Sequence, residues 1–210
     1  MIYQAGDMAR DVRVAIDMNS HSETLLSEGD LDTLSLDEII MAKLCDAVRL
    51  VEMEAPPQLL GSGYDFGEDV HIGSDGKGFV RLPGDFMRLI AFRMSDWRRT
   101  VFEAIAESDP RYGLQSSRWK GICGNPEKPV VAVVRRGEGK VLEFYSSRDT
   151  SATVAQATYM PYPKIDRDGG IDIAEDCYRA AVYRAASLAL ASVGDQLATT
   201  MLEISKSLLQ

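Results

Sequence analysis

The chain has 210 residues, 45% of them apolar and 26% charged, and its 32 acidic side chains against 23 basic ones leave a formal charge of −9. A chain of this size buries roughly 70% of the surface its unfolded form exposes, so disorder over most of the length is excluded and a soluble, folded protein is expected. The acidity argues against a general nucleic-acid binder, which needs surplus Lys and Arg to displace counterions from phosphates. No run approaches the roughly 18 apolar residues of a membrane span, and the start, Met1-Ile-Tyr-Gln-Ala-Gly-Asp7, has neither the basic flank nor the apolar centre of a secretion signal. The charge is unevenly spread: residues 1–60 carry 4 basic and 12 acidic side chains, whereas residues 81–150 carry 13 and 9.

Helical spacing of Met8, Val12, Ala15 and Ile16 predicts a first helix over about 7–18, followed by a polar loop over 19–30 that holds His21. Ser35-Leu-Asp-Glu38 is a capping box. Behind it Ile39, Ile40, Leu44, Ala47, Val48 and Val51 line one stripe of a longer helix, which Pro56-Pro57 stops. The period then changes to that of strands. Residues 69–72 and 79–82 flank Gly73-Ser-Asp-Gly-Lys-Gly78 as a β-hairpin. After a turn at Pro83-Gly84-Asp85, residues 87–93 and 97–101 read as strands around Ser95-Asp96. A loop with Pro110, Gly113, Gly121, Gly124 and Pro126 follows, with Trp119 as its anchor. Residues 130–136 and 140–146 form the clearest hairpin, and 152–160 a third strand beside them. Asp172, as N-cap, opens an alanine-rich helical stretch that Gly194-Asp195 interrupts or weakens. Leu197, Met201, Ile204 and Leu208 then carry an apolar stripe to the end.

The fold class is therefore α+β. Helices over 1–60 and 165–210 pack together, and an antiparallel β block over 61–164, sandwich or barrel-like, is inserted between them.

Chemistry-bearing patterns are sparse. Two histidines and Cys45, Cys123 and Cys177 show no ligand spacing, which points to structural thiols in a reducing compartment. Asp166-Arg-Asp-Gly-Gly-Ile-Asp172 has the aspartate spacing of a calcium loop, but Gly170, Ile171 and Cys177 stand where an oxygen ligand, a glycine and a glutamate are needed. It reads as a turn. The hairpin tip at 73–78 lacks the Walker spacing, and no GxSxG occurs. No catalytic, cofactor-binding or metal residue is assigned, and no enzyme is expected. Arg81, Arg88, Arg93, Arg98, Arg99, Arg111 and Arg118 make the middle segment basic. With Trp97 and Trp119 such a β surface could bind single strands; pairing with acidic helices of the same or a neighbouring subunit is preferred.

Four stretches carry a resemblance: Val51-Glu-Met-Glu-Ala-Pro-Pro-Gln-Leu-Leu60, Val80-Arg-Leu-Pro-Gly-Asp-Phe-Met-Arg-Leu89, Tyr159-Met-Pro-Tyr-Pro163, and the helix running from Asp172-Ile-Ala-Glu-Asp-Cys-Tyr-Arg to Ala186. In order, they resemble the head–tail connector proteins of tailed phages, the adaptor or tail-tubular ring proteins of short-tailed and crAss-like phages. The similarity spans roughly 36–210; the acidic segment 1–30 lies outside it, and 103–128 does not align. The resemblance implies a structural virion protein without cofactor, assembled in the host cytoplasm. Twelve copies would form a ring with portal and tail proteins as partners, around a channel through which DNA passes without sequence-specific binding and with no membrane contact. A ring of such subunits would total on the order of −100 charges, a wall past which a polyanion slides. Ring closure by head-to-tail contacts needs two complementary faces. Arg88, Arg93, Arg98 and Arg99 are the candidates for contact with an acidic helix of the next copy. Leu197, Met201, Ile204 and Leu208 are the candidates for docking on portal or tail, so a chain cut after Gly194 is expected to fold yet fail to join capsids. The alternative is a small hydrolase or nucleic-acid-processing accessory protein using the β block as its platform.

Overall fold

The computed structural model describes residues 1–19, 34–119, 121–137, 139–145 and 147–210. In chain order its elements are β1 (Ile2–Gln4), α1 (Ala5–Asn19), α2 (Leu36–Glu54), β2 (Tyr64–Asp65), β3 (Val70–Ile72), β4 (Gly78–Arg81), β5 (Phe86–Met94), β6 (Ile105–Ala106), α3 (Pro110–Leu114), β7 (Val131–Arg136), β8 (Gly139–Phe144), β9 (Val154–Pro161), β10 (Gly170–Asp172), α4 (Tyr178–Ser192) and α5 (Leu197–Ser207). The protein is α+β. Two compact units divide it: residues 1–61 and 163–210 form a helical unit, and residues 62–162 a β unit. The loop expected around His21 lies outside the described residues.

In the helical unit, the stripes read from the sequence become the core. Met8, Val12 and Ile16 of α1 and Ile40, Leu44, Val48 and Val51 of α2 are fully or almost fully buried. The capping box forms: the Glu38 amide donates to Ser35 Oγ at 3.3 Å, and Glu38 Oε2 accepts from the Ser35 amide at 2.8 Å. The Ser35 hydroxyl, which donates to Glu38 Oε2 at 2.8 Å, and then the Ser35 amide hold the exposed Glu38 carboxyl below its ordinary range. Helix α4 lies at the centre, packed by α1, α2 and α5. Its Ala180, Ala181, Ala185, Ala186 and Ala189 are wholly buried, and side chains this small let three helices approach one.

One expectation for this unit is corrected. Asp172 is no N-cap: it lies in β10, antiparallel to β1, and accepts from the Met1 amine at 2.9 Å. Ile171 and Ile173, both fully buried, alternate inward as strand residues do, so the helix waits until a short 3-10 turn at Glu175–Cys177 delivers the chain to α4. At the other end Gly194, with φ of 76°, breaks the helix outright.

The β unit contains a three-stranded sheet, β2–β9–β5, and a five-stranded sheet, β3–β4–β8–β7–β6. They share one core, to which Leu89, Phe92 and Tyr159 come from the first and Val80, Leu142 and Phe144 from the second. Both sheets are open, so the block is not a barrel. Strand β9 pairs with β5 instead of lying beside the β7–β8 hairpin. Segment 97–101 is no strand: it turns to bury Trp97 against Phe92 and Phe144, and one bridge, Phe92 to Val101, is its sheet contact. Inside the expected long loop, β6 joins β7 in parallel, so the block is not wholly antiparallel. Trp119 anchors nothing there, being 65% exposed.

The β3–β4 hairpin forms as expected and shows why Gly78 sits at its end. A Cβ there would stand 2.6 Å from the His71 carbonyl oxygen and strike the ring of Phe144, which is fully buried and cannot yield. Gly78→Ala is expected to cost the β unit about 2 kcal/mol. The measurement is the urea midpoint followed by Trp97 fluorescence, and an unshifted midpoint would show that the ring can move aside.

Candidate functional site

Partners across an antiparallel ladder share a face. Phe79 lies opposite Glu143, Arg81 opposite Val141, and Arg136 opposite Gly139. Phe79, Arg81, Arg136 and Glu143 therefore occupy one face of the five-stranded sheet, the face turned away from the shared core. Glu143 is 8% exposed, and a carboxylate so buried must be paired. Its Oε2 accepts from the Tyr112 hydroxyl at 3.2 Å and the Tyr145 hydroxyl at 3.0 Å, while Oε1 accepts from Arg136 Nε at 3.0 Å and also from Nη2. Burial first, and then the Glu143 charge, push both tyrosines above their ordinary values.

Glu143 thus fixes the Arg136 guanidinium, whose carbon lies 5.0 Å from the centre of the Phe79 ring. Lys140 sits nearby with Nζ 5.5 Å from the Tyr162 ring. Around them opens a cavity of about 590 Å³, lined by Arg81, Arg136 and Lys140 together with Pro83, Gly84 and Gly137. No carboxylate lines it among the described residues. Of these three cations the sequence pattern singles out Arg81 alone. The readable signal is Glu143, one acid among Val141, Leu142 and Phe144, for which a cation had to be found.

The four expected interface arginines do not form one cluster. A bulge at Ile90 gives β5 one residue more than β9, with Leu89 opposite Tyr159 and Ala91 opposite Thr158. Arg88 and Arg93, five apart, consequently share the sheet face opposite to Leu89 and Phe92. Arg88 is half-buried and Arg93 exposed. Arg98 and Arg99 lie in the turn after β5. Arg98 is engaged, with Nε 3.3 Å from Glu127, a carboxylate that Arg148 also holds at 3.0 Å. Arg99 is exposed, and neither it nor Arg93 forms an ion pair among the described residues. The single-strand surface built on Trp97 fails, since that ring is 4% exposed and has no face to offer a base.

The docking stripe on α5 is mostly spent within the unit. Met201 is fully buried, and Leu197, Ile204 and Leu208 are half-buried. Ser205 Oγ donates to the Ala180 carbonyl and Ser187 Oγ to the Ala198 carbonyl, both at 2.8 Å, which ties α5 to α4. Met201 cannot dock on anything outside. Exposed apolar surface lies instead along a groove of about 180 Å³ between α1 and α4, where Val14 and Met18 are 49% and 78% exposed. The unit is strongly acidic: residues 1–61 and 163–210 hold 9 basic and 19 acidic side chains, a net −10, whereas residues 62–162 hold 14 and 13, a net +1.

Among the described residues no group of three or more His, Cys, Asp or Glu could hold a metal ion, and no helix is long and apolar enough to cross a membrane. No protein-family model matches the sequence, and no curated protein matches it significantly.

Proposed function

We propose that the protein is a structural virion subunit, a ring-forming connector between portal and tail that surrounds the DNA exit channel. The observation that carries the reading is the coincidence of charge with architecture. Nearly all the negative charge resides in the helical unit made from the chain's two ends, and the inserted β unit is slightly positive. Subunits with two such unlike surfaces are suited to the heterologous contacts that close a ring. The resemblance of segments 51–60, 80–89, 159–163 and 172–186 to head–tail connectors supplies the biological setting.

The contact assigned to the β5 region now narrows to Arg93 and Arg99, the two exposed arginines without an ion pair among the described residues, facing acids such as Asp7, Asp17 or Asp46 of the next copy. Light scattering after size exclusion, with negative-stain imaging, should show rings or mass that grows with concentration, alone or with portal protein present. Reversing both charges in R93E/R99E is expected to raise the concentration needed for assembly at least tenfold. Unchanged assembly of that variant would remove the arginines from the interface. A parent protein that stays monomeric and never joins portal complexes would remove the connector reading. The alternative, a nucleic-acid-processing accessory protein, draws its support from the cationic cavity of the β unit.

A further inference from the structure

We propose that Phe102 of one copy seats in the groove between α1 and α4 of the next, as the apolar anchor of a head-to-tail contact. The inference rests on the connector reading and names the partner that the groove accepts. Val14 and Met18 from α1 and Val182 and Tyr183 from α4 line a space of about 180 Å³, with Asp11 and Arg179 beside them. Four residues apart, Val14 and Met18 share one face of α1, and they are 49% and 78% exposed. The Tyr178 hydroxyl donates to Asp11 Oδ2 at 2.6 Å and so ties the two helices together at the groove. Apolar side chains set side by side over a groove mark a docking surface, unlike the single exposed ones that need no explanation.

Charge selects the occupant. The helical unit carries a net −10, so two such units repel and the groove does not suit a copy of itself. The β unit, at +1, is the part of a second copy that can approach. On it Phe102 is 57% exposed. Val101 before it exchanges both backbone hydrogen bonds with Phe92, at 2.8 and 2.9 Å, and packs on the shared core. Successive extended residues point to opposite sides, so the pinned Val101 turns the Phe102 ring outward. An anchor fixed in this way loses little further freedom when it binds. The match extends to its neighbours. Arg99 and Glu103 on either side of Phe102 are exposed, and Asp17 beside Met18 and Arg179 in the groove supply a charge of opposite sign for each. Arg99, Asp17 and Arg179 take part in no ion pair among the described residues. The ring also fits, because an apolar cavity of roughly 150 Å³ already accepts benzene. Anchor and groove lie on different surfaces, so the contact repeats from copy to copy.

The test uses the full chain, in light scattering after size exclusion over a range of concentrations. V14Q/M18Q alters the groove and F102A the anchor, all at exposed positions and without change of charge. Ellipticity at 222 nm and Trp97 fluorescence should therefore match the parent. Each variant alone is expected to need about tenfold more protein to associate. An equimolar mixture of the two should give heterodimers that grow no further, since only the Phe102 of one can meet an intact groove on the other. If the parent associates and both variants associate equally well, the proposal falls while the ring reading stands. It falls too if the mixture forms no heterodimer, because the groove then holds something other than Phe102. A parent that stays monomeric up to about 1 mM also overturns it. The connector reading is then decided separately, by whether that monomer joins portal complexes.

Discussion

Cutting the chain after Gly194 is expected to unfold the helical unit, with a loss on the order of 5 kcal/mol and most of the helical circular dichroism. Removal of α5 uncovers Ala180, Ala181 and the neighbouring alanines of α4, and takes away Met201 and Leu209, which are 0% and 8% exposed. Loss of one buried methionine side chain alone costs about 2–5 kcal/mol. The Ser187 hydroxyl also loses its acceptor, the Ala198 carbonyl, and the Ala180 carbonyl loses its donor, the Ser205 hydroxyl. Both tryptophans lie in residues 62–162, so their fluorescence follows the β unit while ellipticity at 222 nm follows mainly the helices. The truncated protein should keep the first signal and lose the second. Retention of full ellipticity, with a urea midpoint matching the parent, would instead make α5 peripheral and return its apolar stripe to the surface.

That result bears on how far the stripe of Leu197, Met201, Ile204 and Leu208 could be read from sequence. The periodicity gave the helix and its apolar side correctly, because an amphipathic helix announces the side it buries. What covers that side is a tertiary fact. The alanines of α4 offered the answer in composition, yet small residues mark close packing without naming the partner. The same division runs through the β unit. Alternation located β3, β4, β5, β7, β8 and β9, but the order β2–β9–β5 joins segments far apart in the chain, Tyr64 with Tyr159 and Phe86 with Pro161, and local pattern holds no information on such pairing. Trp97 misled because it continues a β-like run; only the demand of the shared core for a large ring turns it inward.

Candidate sites were less legible than the fold. Parity along an ideal strand places Arg88 and Arg93 on opposite faces, and one bulged residue reverses that. The β7–β8 turn links Arg136 and Lys140 locally, but Arg81 joins them only because β4 pairs with β8, which no local pattern announces. Glu143 and Glu52 are the exceptions. Each interrupts an apolar run, and each proves to be buried with hydrogen-bond donors arranged about it.

Glu52 also makes the stability of the helical unit depend on pH. It is 1% exposed, its Oε1 accepts from the Ala174 amide at 3.0 Å, and burial pushes its carboxyl from the ordinary 4.5 up to about 7. Asp172 reinforces the rise, whereas the Ala174 amide and the chain's amino terminus oppose it. Between the two values the folded state keeps a proton that the unfolded chain has released, so stability must fall as pH increases. The contribution is complete below pH 4.5 and gone above about 7, a span worth about 3 kcal/mol at most. Glu52→Gln retains an oxygen for the Ala174 amide and cannot ionise. Urea unfolding followed at 222 nm from pH 5 to 8.5 should therefore show the parent losing stability with rising pH and the variant losing markedly less, so that the two curves diverge toward the alkaline end. Parallel curves would mean that Glu52 ionises in the folded protein as readily as in the unfolded chain, and that water reaches it from the solvent side of α2.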